Sequence, residues 1–507
     1  MNMSVSVSQH AFTAKQVLNN EAKVANSQGI ALAELMEHAG RAVFDEIVKL
    51  NLREKTLLVV CGKGNNGGDG FVVARLALAA GYQVSTVVLA NKNQLKGDAL
   101  LAYTALAKVT NDIEFITEFS QFQCWQHDQK IEDVAVIVDA IFGIGFRGQL
   151  PDYIVNIIQQ LNLSSALKVA VDLPSGVNAS TGEVINDAFQ ADKTLSFIAA
   201  KCGLYTGQAA NYCGDIELKG LNLNQAFCQQ VSTKQFIQYQ QHLPLVPKRK
   251  ATSHKGDIGL LLTLGGNTGF PGAIKLASMA ALKSGAALVS VASHYDSRLL
   301  VHSQTPELMI AGHELSDLAQ NDYLSKAKQL LIGPGLGLDT WAKSIFNYAL
   351  SLNKPLVVDA DALTLLSQSP SYRNNWVLTP HPGEAARLLG CTIAEIEQDR
   401  FLAIAKITEK YGGICVLKGA GTLISDEKYC WINTSGNPSM ASGGMGDVLS
   451  GIIAALLMQM NDKLDAVRLA VFLHGYIADN IVKQQGEIGL LASDIVSHIP
   501  TFINKLA

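Results

Sequence analysis

Thr56-Leu57-Leu58-Val59-Val60-Cys61 runs straight into Gly62-Lys63-Gly64-Asn65-Asn66-Gly67-Gly68-Asp69-Gly70. A short, unbroken run of aliphatic and β-branched residues bounded by glycine reads as a strand buried on both faces. The apolar segment over about Phe71–Ala80 reads as the helix that follows, and Gln83–Leu89 as the next strand. The stretch is therefore a strand–loop–helix–strand unit of a parallel sheet. Gly62, Gly64 and Gly67 fit a G-x-G-x-x-G spacing. Glycines there allow positive φ and bring backbone amides close to a phosphate at a helix N-terminus. The acidic residue that usually follows about 20 positions later is missing, because the second strand runs out into Leu89-Ala90-Asn91-Lys92. That argues against an ordinary dehydrogenase while leaving a dinucleotide ligand open.

Outward from this unit the alternation continues. A helical stretch, Ala31–Lys49, precedes it, and strands are expected at Val134–Asp139, Lys168–Asp172 and Lys193–Phe197. Around Asn222–Lys250 the pattern lapses into Gln-rich polar sequence with Pro244, Pro247 and the basic run Lys248–Lys250, the mark of a solvated boundary. Residues 1–225 and 251–507 are thus expected as two α/β domains joined by a linker region, 226–250. In the second, strands are expected at Ile258–Leu264, Ala287–Ala292, Gln329–Ile332, Pro355–Asp359, Trp376–Thr379 and Ile414–Lys418. Helices read at Gly272–Ser284 and about Gly446–Gln459, with a hairpin over Thr422–Asn433 turning near Asp426–Lys428.

Composition agrees with a core-rich chain. Its 507 residues are 48% hydrophobic and 17% charged, with 43 glycines and a net charge of −4. Apolar content of this order offsets chain entropy and excludes disorder. The lack of a basic excess excludes a nucleic-acid surface. No apolar stretch, Gly451–Met460 included, approaches the ~20 residues of a membrane span, and Met1–Ala14 lacks the features of a secretory signal. The eight cysteines form no C-x-x-C pair and no zinc spacing, so buried thiols in a reducing cytoplasm are expected.

Two further strand ends in the first domain carry polar groups. Asp139 leads into Gly143-Ile144-Gly145-Phe146-Arg147-Gly148, and Asp172 into Leu173-Pro174-Ser175-Gly176. One such Asp can be a cap or turn residue. Three glycine loops with Asp or Asn at one sheet edge point instead to a ligand beyond the carboxyl ends of the strands. Gly64-Asn65-Asn66-Gly67-Gly68-Asp69-Gly70, Asp139 with its glycine loop, and Val171-Asp172-Leu173-Pro174-Ser175-Gly176 closely resemble NAD(P)H-hydrate epimerases, over roughly residues 10–225. The resemblance implies a Rossmann-like three-layer αβα domain. It implies that Asn65, Asn66, Gly67, Gly68 and Asp69, with Gly143, Ile144, Gly145, Phe146, Arg147, Gly148 and Gln149, embrace the hydrated dinucleotide. It also implies a K+ ion on Asn66, Asp139 and Ser175, oxygen donors that suit a hard monovalent cation. Asp172 is the candidate acid/base group, since interconverting R and S hydrates requires proton transfer near the hydroxylated C6.

In the second domain, Gly333-Pro334-Gly335-Leu336-Gly337 follows a strand, and Thr379-Pro380-His381-Pro382-Gly383-Glu384 sets a histidine between prolines at another strand end. Lys418-Gly419-Ala420-Gly421-Thr422 ends a strand in a loop open to a nucleotide, with Lys418 either on phosphate or solvated. The strongest signal is Asn437-Pro438-Ser439-Met440-Ala441-Ser442-Gly443-Gly444-Met445-Gly446-Asp447, which enters an apolar helix. Free amides at such a start make an anion hole, and Asp447 stands where a base would meet an attacking hydroxyl. The G-x-G-D arrangement resembles ribokinase-like small-molecule kinases. The fuller strings Leu378–Glu384 and Ala441–Asp447 are similar to ADP-dependent NAD(P)H-hydrate dehydratases, over about residues 235–507. That resemblance implies a ribokinase-like αβα domain in which Lys418, Gly419, Ala420, Gly421, Thr422 and Gly446 bind the adenine nucleotide. Ala273 (by position alone), Gly335, Gly337, His381 and Asp447 would contact the hydrate.

The whole chain is thus expected to be a bifunctional isomerase and lyase of hydrated NADH and NADPH, using ADP and Mg2+, a cytoplasmic homo-oligomer with neither nucleic-acid nor membrane partners. Two alternatives stand beside it. One is a small-molecule kinase fused to a dinucleotide-binding domain, whose product would stay phosphorylated. The other is a catalytically silent nucleotide sensor, which would bind hydrate without converting it.

Overall fold

The computed structural model describes residues 6–129, 134–321 and 323–505. The chain divides into two compact units, Met1–Gln235 and Phe236–Ala507. The segment expected as a bare linker, 226–250, carries regular structure in its first half, with a helix over Asn224–Gln230 and a strand over Gln235–Gln238. Phe227 and Ile237 are fully buried there, and these scattered apolar residues anchor a stretch whose overall composition is polar.

The N-terminal unit is built on seven strands, β1 (Thr56–Cys61), β2 (Gln83–Val88), β3 (Ile113–Phe115), β4 (Val136–Ala140), β5 (Leu167–Val171), β6 (Lys193–Phe197) and β7 (Asp215–Lys219). Their order is β3-β2-β1-β4-β5-β6-β7, all pairs parallel. Strand order reverses between β1 and β4, which opens a crevice at their carboxyl ends. Alternate residues of β1 feed separate cores. Leu57, Val59 and Cys61 pack with Val43 and Phe71, while Leu58 and Val60 pack with Ile154, Ile157 and Leu161. Helices thus cover both faces, giving the three-layer arrangement expected.

One boundary differs from expectation. The glycine loop is short, and helix α3 already begins at Asn65, running Asn65–Ala79. Gly67, Gly68 and Gly70 are helical rather than positive in φ. Their role is close packing. A Cβ on Gly67 would lie 2.0 Å from the Gly62 carbonyl oxygen, and one on Gly70 would meet Ala140 Cβ at 2.6 Å and Cys61 Sγ at 2.7 Å. Sequence patterning misses this because glycine is a poor helix former by propensity, and tertiary contact overrides that preference here.

Away from the crevice, buried Glu46 on α2 (Leu32–Lys49) takes hydrogen bonds from Lys49, Lys193 and Lys219, and Glu217 joins Lys193 and Lys219. Burial raises the Glu46 carboxyl, but bonds from Lys219, Lys49 and Lys193 outweigh it and hold the group at about 2, below the ordinary 4.5. A carboxylate depressed on folding stabilises the fold above its unfolded value and loses that contribution as pH falls through its folded one. Glu46→Gln should therefore cost about 1–3 kcal/mol at pH 7, with the gap from wild type shrinking between pH 4.5 and 2. Urea unfolding of the N-terminal unit across that range checks it, and an equal deficit at both ends would refute the network's role.

The C-terminal unit carries β8 (Leu260–Leu264), β9 (Leu288–Ala292), β10 (Leu308–Gly312), β11 (Ala327–Ile332), β12 (Leu356–Val358), β13 (Trp376–Leu378), β14 (Ile414–Leu417), β15 (Leu423–Ser425) and β16 (Cys430–Asn433). The order is β10-β9-β8-β11-β12-β13-β14-β15-β16, parallel as far as β14 and antiparallel through the expected hairpin. Strand order again reverses, between β8 and β11. Helix α4 (Pro271–Lys283) and helix α5 (Met445–Leu457) pack so closely that a Cβ on Gly451 would lie 2.1 Å from the Ala277 carbonyl oxygen. Cys61, Cys202, Cys213, Cys415 and Cys430 are buried. Among the described residues no helix is long and apolar enough to cross a membrane.

Candidate functional site

Each unit carries polar residues at the carboxyl ends of its parallel strands. In the N-terminal unit, Asp139 closes β4, where the carboxylate is fully buried. Its Oδ2 accepts the Ser175 amide at 2.7 Å, and its Oδ1 accepts the Ser175 hydroxyl at 2.7 Å and the Ile141 amide at 3.1 Å. Ser175 Oγ in turn accepts the Phe142 amide at 2.9 Å. Asn66, in the first turn of α3, lies against the next loop, with its Oδ1 3.0 Å from the point a Gly143 Cβ would occupy. Asp139 and Ser175 thus meet directly, and Asn66 lies against Gly143, one residue beyond the Phe142 that Ser175 holds.

Two observations bear on whether this cradle suits a cation. Asn66 is buried, and its side-chain nitrogen has no hydrogen-bond partner. Among the described residues no cationic side chain pairs with Asp139. Burial pushes its carboxyl up to about 6, against the pull of the Ser175 and Ile141 donors. A buried carboxylate served only by neutral donors is a charge awaiting compensation, and the residues present fit a monovalent cation. Of the remaining loop, Gly145, Arg147, Gly148 and Gln149 are exposed, and Ile144 and Phe146 are partly buried.

Asp172 stands just past β5 with φ +66, a left-handed conformation rare for a residue with a side chain. Its amide donates to Leu195 O at 2.9 Å, and its Oδ1 accepts the Phe197 amide at 3.1 Å and the Lys201 ammonium. Around it lie Asp69 from α3 and Glu21 from α1 (Ala14–Ser27). Burial first, then Asp172, raises both carboxyls, Asp69 well above the ordinary range; Glu21 adds to Asp69, and Lys201 pulls both back. Neither Lys201 nor Glu21 is legible from sequence patterning. Lys201 ends the short strand Ala200–Lys201, with no motif around it, and Glu21 sits on an ordinary helix.

In the C-terminal unit, Gly444 caps α5 with φ +87, a conformation glycine supplies without strain, and Gly446 and Asp447 fall in the first turn. Lys418 lies immediately beyond β14, and its Nζ comes to 3.2 Å from the point a Gly446 Cβ would occupy. The same ammonium pairs with Asp359 Oδ1 at 3.1 Å and Glu384 Oε2 at 3.7 Å. Lys418 is therefore held beside the helix start by its ion pairs. Gly419 and Gly421 take φ +134 and +58, and Thr422 Oγ1 closes the turn on Gly419 O at 2.9 Å.

His381 is positioned by its own helix. Its Nδ1 accepts the Gly383 amide at 3.0 Å and the Glu384 amide at 3.4 Å, while its backbone amide donates to Glu384 Oε2 at 2.8 Å. The ring itself is exposed. Gly335 and Ala273 adjoin, since a Cβ on Gly335 would lie 3.2 Å from Ala273 Cβ. Gly337 donates its amide to Asp361 Oδ2 at 2.8 Å.

Carboxylates crowd this site. Burial pushes Asp447 up to about 7; Asp359 adds to the rise, Lys418 opposes it, and Asp361 and Glu384 add further. Burial also takes Glu384 to about 7, against Lys418. Asp359 is buried and its Oδ2 has no partner. Asp359 and Asp361 went unassigned in the sequence although Asp359 carries the signal used for Asp139 and Asp172, an acid closing an apolar strand. Among the described residues no three His, Cys, Asp or Glu side chains form a metal cage. A divalent cation here would need phosphate oxygens as well.

Comparison with known proteins agrees with this arrangement. The family model NAD(P)H-hydrate dehydratase matches residues 261–501, and YjeF-related protein N-terminus matches residues 32–203. The bifunctional NAD(P)H-hydrate repair enzyme Nnr of Coxiella burnetii is 41% identical over 488 residues, 95% of this chain and 97% of the relative. The protein of the same name from Escherichia coli K12 is 40% identical over 501 residues, 99% of this chain and 95% of the relative. The crystal structure of a ribokinase-like superfamily protein from Enterococcus faecalis V583 matches with TM-score 0.51 and 32% identity, covering 54% of this chain and 98% of that one. The C-terminal unit is thus ribokinase-like, and the chain belongs to the bifunctional NAD(P)H-hydrate repair enzyme family.

Proposed function

We propose that the protein repairs hydrated NADH and NADPH in two steps, with residues 1–225 epimerising the R and S hydrates and residues 251–507 dehydrating the S form at the expense of ADP. The observation that carries this reading is the start of α5, where Gly446 and Asp447 meet Lys418 and Asp359, which follow the carboxyl ends of β14 and β12.

Hydroxide is a poor leaving group, so dehydration begins by phosphorylating the C6 hydroxyl. Asp447 accepts the hydroxyl proton as the oxygen attacks the terminal phosphorus of ADP, releasing AMP. The amides opening α5 face the transferring group, and Lys418 adds positive charge beside them. Phosphate then leaves C6, driven by the ring-nitrogen lone pair, and loss of a C5 proton restores the reduced nicotinamide. Hydrate and ADP become dinucleotide, AMP and phosphate. Lys418, Gly419, Ala420, Gly421, Thr422 and Gly446 hold the nucleotide, while Ala273, Gly335, Gly337 and His381 line the hydrate. Asp359, with its unpartnered oxygen, and Glu384 are the carboxylates that would hold Mg2+, which when bound neutralises charge on the phosphoryl group.

In the N-terminal unit, inversion at C6 requires a bond to that carbon to open and reclose, and each route moves a proton at the C6 hydroxyl. Asp172 is the group for that transfer. Asn65–Asp69 and Gly143–Gln149 embrace the ligand. Asn66, Asp139 and Ser175 would hold K+, which when bound compensates the buried Asp139 charge. The buried cysteines suit a reducing cytoplasm, and a homo-oligomer is the assembly we expect.

The test uses mixed R and S hydrates with ADP and Mg2+, followed by nicotinamide absorbance and phosphate release. Full recovery of absorbance with one phosphate per dinucleotide is expected, and chelating Mg2+ should slow it at least tenfold. A product that stays phosphorylated would identify a kinase instead, and hydrate bound but unconverted would identify a sensor.

A further inference from the structure

Buried lysines are rare because an ammonium is costly to desolvate. Lys201 is 1% exposed. Its Nζ donates to Asp172 Oδ1, to Phe197 O at 2.7 Å and to Ser196 Oγ at 3.2 Å. Those three acceptors use all three of its N–H donors, so the ammonium has none left for a ligand. Asp172 is asymmetric in consequence. Its Oδ1 takes both Lys201 and the Phe197 amide, whereas among the described residues no hydrogen bond reaches Oδ2.

The backbone around the pair is strained on both sides. Asp172 has φ +66 and Ile198 has φ +65, the latter unusual for a β-branched side chain. The strained turn at Ile198 sets Phe197 O to accept both the Ala199 amide at 2.6 Å and Lys201 Nζ. Each such residue persists only where its surroundings over-determine it. Here two of them hold one ion pair at the carboxyl ends of adjacent strands, beside the proposed epimerase site.

We propose that Lys201 is a positioning residue for epimerisation, pinning Asp172 Oδ1 so that Oδ2 alone is presented to the C6 hydroxyl. The proposal rests on the reading of Asp172 as the proton-transfer group. Among the described residues, Asp69 from α3 and Glu21 from α1 are the other titratable groups that feel Asp172, both acidic, and Lys201 is the cation that draws both back.

The test compares Lys201→Met, Asp172→Asn and the double variant in the full-length protein. Removing the ammonium leaves a buried carboxylate among acids with no cation beside it. Lys201→Met should lower kcat for epimerisation at pH 7 at least 100-fold with KM within threefold, and move the acid limb of the pH profile up by a unit or more. A merely structural lysine would lower activity without moving the limb. Thermal melting supplies the second arm. Lys201→Met alone should melt lower than wild type, and the double variant should melt no lower than Asp172→Asn, because no uncompensated charge remains. If Lys201→Met does not fold at all, recovery of folding in the double variant supports the proposal. An unshifted pH profile, or losses that simply add in the double variant, overturns it. Failure of the underlying reading looks different, since Asp172→Asn would then epimerise at the wild-type rate.

Discussion

Replacing Asp447 by alanine is expected to lower dehydration of the S hydrate by about a thousandfold or more, the scale of a lost general base, while ADP still binds. Binding should survive because Asp447 contributes only repulsion to an anionic nucleotide. Burial and the nearby Asp359, Asp361 and Glu384 have already driven its carboxyl up to about 7. The same shift sets the pH response. A base must be deprotonated to act, so wild-type turnover should climb as pH rises through about 7 and level off above it. Titrating ADP into the variant, with its rate measured beside the wild-type profile, checks both halves. A variant rate within tenfold of wild type would remove Asp447 from the chemistry.

The second large effect is expected at Asp172. Asparagine keeps an oxygen for the Phe197 amide and Lys201 but cannot take a proton at the other position. Asp172→Asn should bind the hydrated dinucleotide within about threefold of wild type and lose about 10²–10⁴ in epimerisation. The C-terminal unit is untouched, so mixed hydrates with ADP should separate into two phases. The S fraction recovers absorbance at the wild-type rate, and the R fraction follows only as fast as it inverts unaided. A single fast phase covering both epimers would show that Asp172 is dispensable.

Much of this was legible in the sequence because both units bury their sheets on two faces, and such strands are written as unbroken aliphatic runs. β1 and β6 fall where the runs at Thr56–Cys61 and Lys193–Phe197 place them. The paired loops at the crevices were legible for the same reason, since glycine, Asp and Asn punctuate the ends of those runs. What escaped is what depends on the third dimension. Asn65–Gly70 looked like loop because glycine carries no local helical signal, yet the contact of Gly70 with Ala140 and Cys61 demands a residue without a side chain. Lys201 looked like any lysine, because a partner 29 residues away leaves no periodic trace. Asp359 was readable by the rule that found Asp139, whereas Glu384 stands in the sequence only as the last residue of the string Thr379–Glu384.

The packing at Gly451 has a consequence for how the C-terminal site turns over. The helix that begins with Gly446 and Asp447 lies backbone-close on the helix that begins near Ala273, with no side chain between them at that point. Under the proposed function, the parts assigned to the phosphoryl donor and those assigned to its acceptor are therefore riveted into one chassis. The freedom for hydrate to enter and AMP to leave is then expected in the segments that lead into those helices, 265–270 and 434–444. The rate of that traffic should answer to the glycines of those segments and not to hinging of the helices themselves.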